Sequence, residues 1–273
     1  MKNSYTVFGK GFVGVNLVNF LKKKNYKFFL PKRNQYIINK NLNNIIYCIG
    51  SDNWVNNPKG SFDSNLGIVK KIIFNNKFES FTLISSTRLY LSNTKSKCNE
   101  ESLIEIRPTI RNFYYNSLKL MAESLCLSLP NKKIKVVRMS NLFGDNFTNQ
   151  IYLLPNLIRS SLVNKKINIT INKKSSKDFI NVDEALDLLL KIIRKSKYRL
   201  YNIASGKNIK LSTIAENIKK ITNCKINYVN QRQLVKEPII DIGRIRKEFK
   251  FEPRKDLIKS LNQLIINYRR NLK

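Results

Sequence analysis

Along this chain the apolar positions alternate between short strand-like runs and helical stripes. Tyr5–Phe8 is a compact β-rich run. From Phe12 onward, Val15, Leu17, Val18 and Leu21 recur at helical spacing until the Lys22–Lys24 run closes the segment. Further strands are predicted at Lys27–Leu30 (ended by Pro31), Ile45–Ile49 (closed by Gly50), Phe81–Ile84, Ile134–Val137, Asp178–Ile180 and Leu200–Ile203. Helices are predicted over 61–77, Tyr114–Leu129 and Asp183–Arg194, with a last one marked by Leu257, Leu261, Leu264 and Ile265. Thr213 with Glu216 three residues on has the spacing of a capping box and predicts a helix start there. Asp52 to Pro58 reads as loop, and Phe143 to Lys177, rich in Asn, Ser and Lys, as an irregular excursion over the sheet edge. No internal repeat is visible. Strands separated by helices predict an α/β fold, a doubly wound parallel sheet with ligands at the carboxyl ends of its strands.

Composition narrows the class. The 273 residues suffice for a full core, and 42% hydrophobic residues with 9 Gly and 7 Pro fit a globular chain. Four separated cysteines (Cys48, Cys98, Cys126, Cys224) and the absence of histidine exclude a CxxC redox pair, a zinc finger and a His-based triad, so no metal site is expected. With no need for disulfides in a chain of this size, a reducing, cytoplasmic setting is expected. The N-terminus makes a poor signal peptide, and the apolar runs fall short of the roughly 20 residues that span a bilayer, so no membrane partner is expected. The net charge of +33, from 51 Lys+Arg against 18 Asp+Glu, draws the chain to any polyanion at low salt. The basic residues, however, run from Lys2 to Lys273 and form no arm or stripe. They read as a bias of the whole composition, and a nucleic-acid-binding protein is the rival that the scattered charge and missing motifs count against.

Two segments carry candidate chemistry. Gly9-Lys10-Gly11-Phe12-Val13-Gly14 lies between the first strand and the first helix, the context of a dinucleotide-binding turn. There Gly9 permits the tight turn, Gly11 a close approach to a pyrophosphate and Gly14 close helix–strand packing, while the helix N-terminus faces the phosphates. Tyr115 and Lys119 stand at i and i+4, so an ammonium sits one turn from a phenol. A phenol's reference pKa near 10 is too high for a base at neutral pH, and a neighbouring cation favours the phenolate. Such spacing is common on surface helices. Ser86, at the end of a predicted strand where active-site loops begin, raises its significance by offering a hydroxyl to a substrate oxygen.

These segments, with four others in the same order, resemble the NAD-dependent epimerase/dehydratase family of nucleotide-sugar enzymes, within the extended short-chain dehydrogenase/reductase superfamily. Leu83–Tyr90 (LISSTRLY) resembles the family's SS(T/S)xxxY strand end, with Ser86 four residues before the tyrosine. Tyr115 to Glu123 resembles its YxxxK helix, and Arg138–Gly144 its RxxNxxG block, whose Asn, here Asn141, contacts substrate. Lys177–Glu184 resembles RDFIHVDD, and Tyr201–Gly206 resembles YNIGSG. The tail from Asp241 to Pro253 also has the family's look, so the resemblance spans essentially the whole chain.

The resemblance implies a Rossmann core over residues 1–142, rejoined at about 178–205, and a smaller, discontinuous substrate lobe from 143–177 and 206–273. It implies NADP or NAD as cofactor, held by Gly9, Lys10, Gly11, Phe12, Val13, Gly14, Lys32, Arg33, Ile49, Gly50, Ser85, Tyr115 and Lys119. Ser86, Tyr115 and Lys119 would be catalytic, and Thr87, Arg88 and Asn141 would bind a nucleotide-sugar. The activity implied is epimerase or ketoreductase, in the manner of surface-polysaccharide enzymes, with a homodimer as the expected assembly. A non-catalytic dinucleotide-binding protein is the other alternative, which the intact Ser86/Tyr115/Lys119 set argues against. Three features depart from the family. The glycine turn is GxGxxG where the extended enzymes have GxxGxxG, and the segment before Ile45 is short enough to have lost a strand–helix unit. Thr87 and Arg88 replace the Asp-Glu pair of the 4,6-dehydratases, which disfavours elimination of water. At the second strand's end Pro31-Lys32-Arg33 offers no acid for an adenosine ribose, the next being Asp52, which favours NADP.

Overall fold

The computed structural model describes residues 4–50, 53, 55–110, 113–144, 152–229 and 234–271. β1 (Ser4–Phe8) turns through Gly9 into α1 (Phe12–Lys23), and β2 (Lys27–Phe29) follows. β3 (Asn44–Tyr47) leads into α2 (Pro58–Phe62), a π-helical turn over Asp63–Gly67 and α3 (Ile68–Asn75). β4 (Ser80–Ser86) runs into a 3-10 turn at Thr87–Ser92 and then β5 (Lys97–Cys98). After these come α4 (Phe113–Ser128), β6 (Ile134–Met139), β7 (Asn141–Phe143), α5 (Leu153–Val163), β8 (Lys166–Ile169), β9 (Ser176–Asn181) and α6 (Val182–Lys195). The chain ends with β10 (Leu200–Ile203), β11 (Asn208–Lys210), α7 (Leu211–Thr222), β12 (Lys225–Tyr228), β13 (Ile239–Ile240), α8 (Gly243–Phe249) and α9 (Leu257–Asn271).

Six strands form one parallel sheet in the order β10-β6-β4-β3-β1-β2, with helices on its faces, which is a doubly wound Rossmann sheet. Strand order reverses between β1 and β3, so their carboxyl ends open a crevice at the switch point. β2 is the edge strand, and no helix or strand occurs in the described segment between it and β3, as the short spacing there predicts. β3 and β4 are buried on both faces, which explains their continuous apolar runs. A second layer stands beside this sheet. β7 and β9 pair in parallel, β9 and β11 antiparallel, and β8 and β12 in parallel. Phe143, Ile158, Ile167, Phe179, Ile214, Leu261 and Ile265 fill its own core.

Several sequence expectations are corrected. The 143–177 excursion carries α5 and β8, because Leu154, Leu157 and Ile158 make an apolar stripe among its polar residues. Residues 145–151 lie outside the described residues. Thr213 caps nothing: α7 begins two residues earlier, since β11 delivers the buried Leu211 directly into the helix. The helix expected over 61–77 spans 58–75 in three pieces, begun by Asn57, whose side chain accepts from the Gly60 N–H. β3 stops at Tyr47, because Gly9, beyond its partner Phe8, turns away into α1. Asp52 of the expected loop falls outside the described residues. On α4, Leu118 is core, while Tyr114 and Met121 are exposed.

α4 is fixed to the sheet by a buried polar chain. Arg138 on β6 donates from Nε and Nη2 to the Glu123 carboxylate at 2.6–3.1 Å, and from Nη1 to Tyr90 Oη at 2.7 Å. Tyr90 in turn donates to Asn202 Oδ1 at 2.9 Å, and Asn202 N–H donates to Glu100. Both members of the ion pair are at least 95% buried. Burial alone would lower the Arg138 pKa, but the bonds and charge of Glu123, with the Tyr90 contact, hold it above its ordinary value. Burial pushes the Tyr90 phenol up to about 12, so it remains a neutral donor.

Removing one member strands the other's charge in the interior. Arg138→Met should therefore cost about 3–5 kcal/mol in urea unfolding. The Glu123→Leu/Arg138→Met double variant should lose less than the single, because no buried charge is left unpaired.

Candidate active site

The crevice at the switch point is built by three glycines and a helix end. Gly9 has φ +123°, and a Cβ there would stand 2.8 Å from the Cys48 carbonyl carbon. At Gly14 a Cβ would collide with the Gly9 carbonyl, so the turn and helix α1 can only pack this closely on glycine. Gly11 differs: a Cβ there meets open space. Just past it, α1 starts with no side-chain cap and no acid in its first turn. Its first N–H groups and its positive dipole end therefore face a space suited to a phosphate. Phe12 and Val13 of that turn line a cleft of about 260 Å³ with Ile49, Gly50, Ser85, Ser86, Tyr115 and Lys119. An elongated dinucleotide fits this combination of uncapped helix end, open glycine face and apolar slot.

Ser86, Tyr115 and Asn141 also line a second, adjoining cleft of about 550 Å³, with Thr87, Arg88, Asn116, Ser140, Lys177 and Glu237. β4 ends at Ser86, whose Oγ accepts the Arg88 N–H at 3.1 Å and so caps the 3-10 turn. That bond leaves the serine's own hydrogen to donate. Tyr115, in the first turn of α4, has Lys119 Nζ 5.9 Å and Arg88 Cζ 5.5 Å from its ring centroid. Asn141 Nδ2 donates to the Asp178 carbonyl at 2.8 Å, tying the RxxN block to β9. The Asp178 carboxylate, fully buried, accepts from Ser205 N, Ser205 Oγ and Lys207 N at 2.8–3.1 Å. Among the described residues, buried Ser85 Oγ, Arg88 Nε, Asn116 Oδ1 and Ser140 Oγ have no hydrogen-bond partner, and all four residues line these two clefts. Unpaired polar atoms gathered in one place point to a polar ligand that completes them.

The structure thus brings Ser85, Ser86, Thr87, Arg88, Tyr115, Lys119, Asn141, Ile49 and Gly50 together around joined clefts, next to the Gly9–Gly14 turn. Lys10, Lys32 and Arg33 line neither cleft and are exposed, the latter two just beyond β2. Several residues escaped the sequence reading. Asn65 rides on the π-helical turn, and a Cβ at Gly50 would lie 3.2 Å from both Asn65 Oδ1 and Lys119 Nζ. Only the three-dimensional bend at Asp63–Gly67 puts that asparagine beside the lysine. Glu237 gives no local signal either: its pairing with Lys177 at 2.5 Å bridges 60 residues of chain.

Lys119 is 5% exposed, and Nζ donates to the Ile84 carbonyl at 3.3 Å. Burial pulls its pKa down to about 8, against the opposing charge of Glu123. Between about pH 8 and the ordinary 10.5, the unfolded chain keeps a proton on this amine that the folded chain has released. The unfolding free energy should then rise with pH across that window, and the cost of burying the cation is fully present below about pH 8. Measured by urea unfolding, wild-type stability relative to Lys119→Met should climb by up to ~3 kcal/mol from pH 7.5 to 10.5. A flat difference would refute the buried cation.

The family model for the NAD dependent epimerase/dehydratase family matches residues 38–204. Among solved structures, the chain superposes on MoeE5 in complex with UDP-glucose and NAD with a TM-score of 0.82 at 19% identity, covering 99% of this chain and 100% of that one. Against UDP-glucose 4-epimerase from Thermotoga maritima with UDP-glucose, the TM-score is 0.83 at 15% identity, covering 99% and 100%. RMD from Pseudomonas aeruginosa complexed with NADPH gives 0.82 at 20% identity, covering 98% and 99%. No curated protein sequence matches the chain significantly. The structural likenesses, at these identities, are of fold. The family match runs from the segment before β3 to the end of β10 and takes in Ser86, Tyr115, Lys119, Asn141 and Asp178, so the chain belongs to the NAD-dependent epimerase/dehydratase family.

Proposed function

We propose that this protein is an NAD(P)-dependent enzyme that moves a hydride at a carbon of a nucleotide-linked sugar, as epimerase or ketoreductase. The observation that carries the reading is the convergence of Ser86, from the end of β4, with Tyr115 of α4 on a cleft that adjoins a second one lined by the uncapped start of α1. In that reading Gly9–Gly14 and the α1 N-terminus hold the pyrophosphate, and Ile49, Gly50, Ser85, Tyr115 and Lys119 hold the ribose and nicotinamide. The nicotinamide, when bound, supplies the hydride chemistry. Tyr115 Oη takes the proton of the sugar hydroxyl as its carbon is oxidised and returns it on reduction. Lys119, one turn away and beside the Tyr115 ring, supplies the positive charge that this exchange needs. Ser86 donates its free hydrogen to the sugar oxygen and holds it in line. Ile84, Met139, Leu154, Pro155 and Phe179 give the first cleft apolar walls that exclude water from the reacting centre. Thr87 and Arg88 provide no carboxylate for elimination of water, so the reaction stays at the level of oxidation and reduction.

Tyr115→Phe keeps the ring and removes the proton-carrying oxygen. Turnover of a panel of nucleotide-sugars, followed by cofactor absorbance and product analysis, should fall by ~10²–10⁴-fold with dinucleotide binding nearly unchanged. A variant that keeps more than about a tenth of the activity would remove Tyr115 from the proton transfer. Conversion without net change in cofactor marks an epimerase, and net consumption of reduced cofactor a ketoreductase.

NADP is the cofactor this reading favours. Lys32 and Arg33 are exposed beyond the end of β2 and have no acidic partner within ion-pair distance among the described residues. A 2′-phosphate would be drawn to that edge, which has no acid to accept from a ribose 2′-hydroxyl. At fixed ionic strength NADPH should bind more tightly than NADH, and Arg33→Ala should shrink the preference while NADH affinity holds. Equal losses for both would reduce Arg33 to general positive potential.

A further inference from the structure

Two cations face the second cleft, and they differ in what they have for company. Lys177 is neutralised by Glu237 at 2.5 Å. Arg88 has no carboxylate within ion-pair distance among the described residues, and its buried Nε has no hydrogen-bond partner. A buried guanidinium N–H left unpaired is costly, and at the wall of an open cleft its acceptor comes from water or from a bound ligand. Its backbone is anchored at the end of β4: the Arg88 main-chain N–H is bonded to Ser86 Oγ, and its guanidinium carbon lies 5.5 Å from the Tyr115 ring centroid. Arg88 therefore stands beside Ser86 and Tyr115, the two side chains that the proposed reaction uses.

Building on the nucleotide-sugar reading, we propose that Arg88 makes the second cleft selective for a sugar that carries a carboxylate, so that the substrate class is a nucleotide-linked uronic acid. A planar guanidinium matches a carboxylate with two parallel N–H···O bonds, a geometry that a neutral hydroxymethyl group at the same carbon does not satisfy. Thr87, Asn116 and Ser140, beside it in the cleft, serve the neutral hydroxyls of the ring. The Lys177–Glu237 pair, already balanced, adds no net charge and leaves Arg88 to set the preference.

The test is calorimetric binding of UDP-glucose and UDP-glucuronic acid to the dinucleotide-loaded protein, with the corresponding dTDP and GDP pairs as further probes. Each pair differs only at the oxidation state of one carbon. Wild type should bind the uronate at least about tenfold more tightly than its neutral partner, and Arg88→Gln should bring the two within about threefold by weakening the uronate alone. Arg88→Lys, which keeps the charge without the planar fork, should fall between them, and unfolding curves of both variants confirm that the fold persists. Equal affinities in wild type would overturn the proposal, as would an equal loss for both members in Arg88→Gln, which would place Arg88 on the diphosphate common to both. Binding of no nucleotide-sugar from any pair would instead reject the nucleotide-sugar reading, and this proposal with it.

Discussion

Glu123 and Arg138 meet where both are almost fully buried, and the placement of Tyr115 and Lys119 against the end of β4 follows from how that encounter is satisfied. Glu123 lies one helical turn beyond Lys119 and two beyond Tyr115, so anchoring its carboxylate on β6 fixes the rotation of α4. The same guanidinium holds Tyr90, the last aromatic of the turn that starts at Ser86. One charged pair thereby sets the helix carrying the phenol and ammonium against the strand end carrying the hydroxyl. A hydrophobic contact of similar area would hold the helix near the sheet but would not specify its rotation so tightly, because apolar packing lacks direction.

Close backbone approach supplies the second constraint. Gly9 and Gly14 let β1, α1 and the strand end at Cys48 crowd together, and Gly50 lets the Lys119 ammonium sink beside the π-helical turn. The result is a buried amine with its pKa pulled to about 8. Desolvation alone would make such a lysine a poor neighbour for a proton-transferring phenol. The carboxylate of Glu123 and the Ile84 carbonyl moderate that effect, so the pair that anchors α4 also sets the electrostatics around Lys119.

Acidic residues are scarce in this chain, 18 against 51 basic ones, and several of them are committed to structure. Glu123 and Glu237 sit in buried ion pairs, Asp178 ties β9 to the turn after β10, and Glu248 accepts from Tyr201 Oη and the Lys197 N–H. What remains positive without a partner therefore carries information. Most such cations are solvated at the surface, where each interacts weakly through screened water. Arg88 is half-buried beside Tyr115, and there the lack of a carboxylate among the described residues has a chemical meaning.

Local pattern determined much of this protein. The glycine turn between a strand and a helix, the i, i+4 pair Tyr115 and Lys119, and the run of apolar strands are all set by neighbours within a few residues, where steric and periodic rules act directly. They were enough to read a doubly wound sheet and to name the residues that converge on the clefts. The second lobe was harder to read, because α5 and β8 have weak stripes whose apolar faces gain meaning only against α7, α9 and β12. The start of α7 differs from the sequence pattern for a related reason: burial of Leu211 outweighs the capping box available at Thr213. The places of Asn65 and Glu237, and the lack of a carboxylate beside Arg88 among the described residues, belong to tertiary structure alone. Each depends on which groups far away in sequence, 60 residues for Lys177 and Glu237, the fold brings together, and the chain's own periodicity contains no record of that distance.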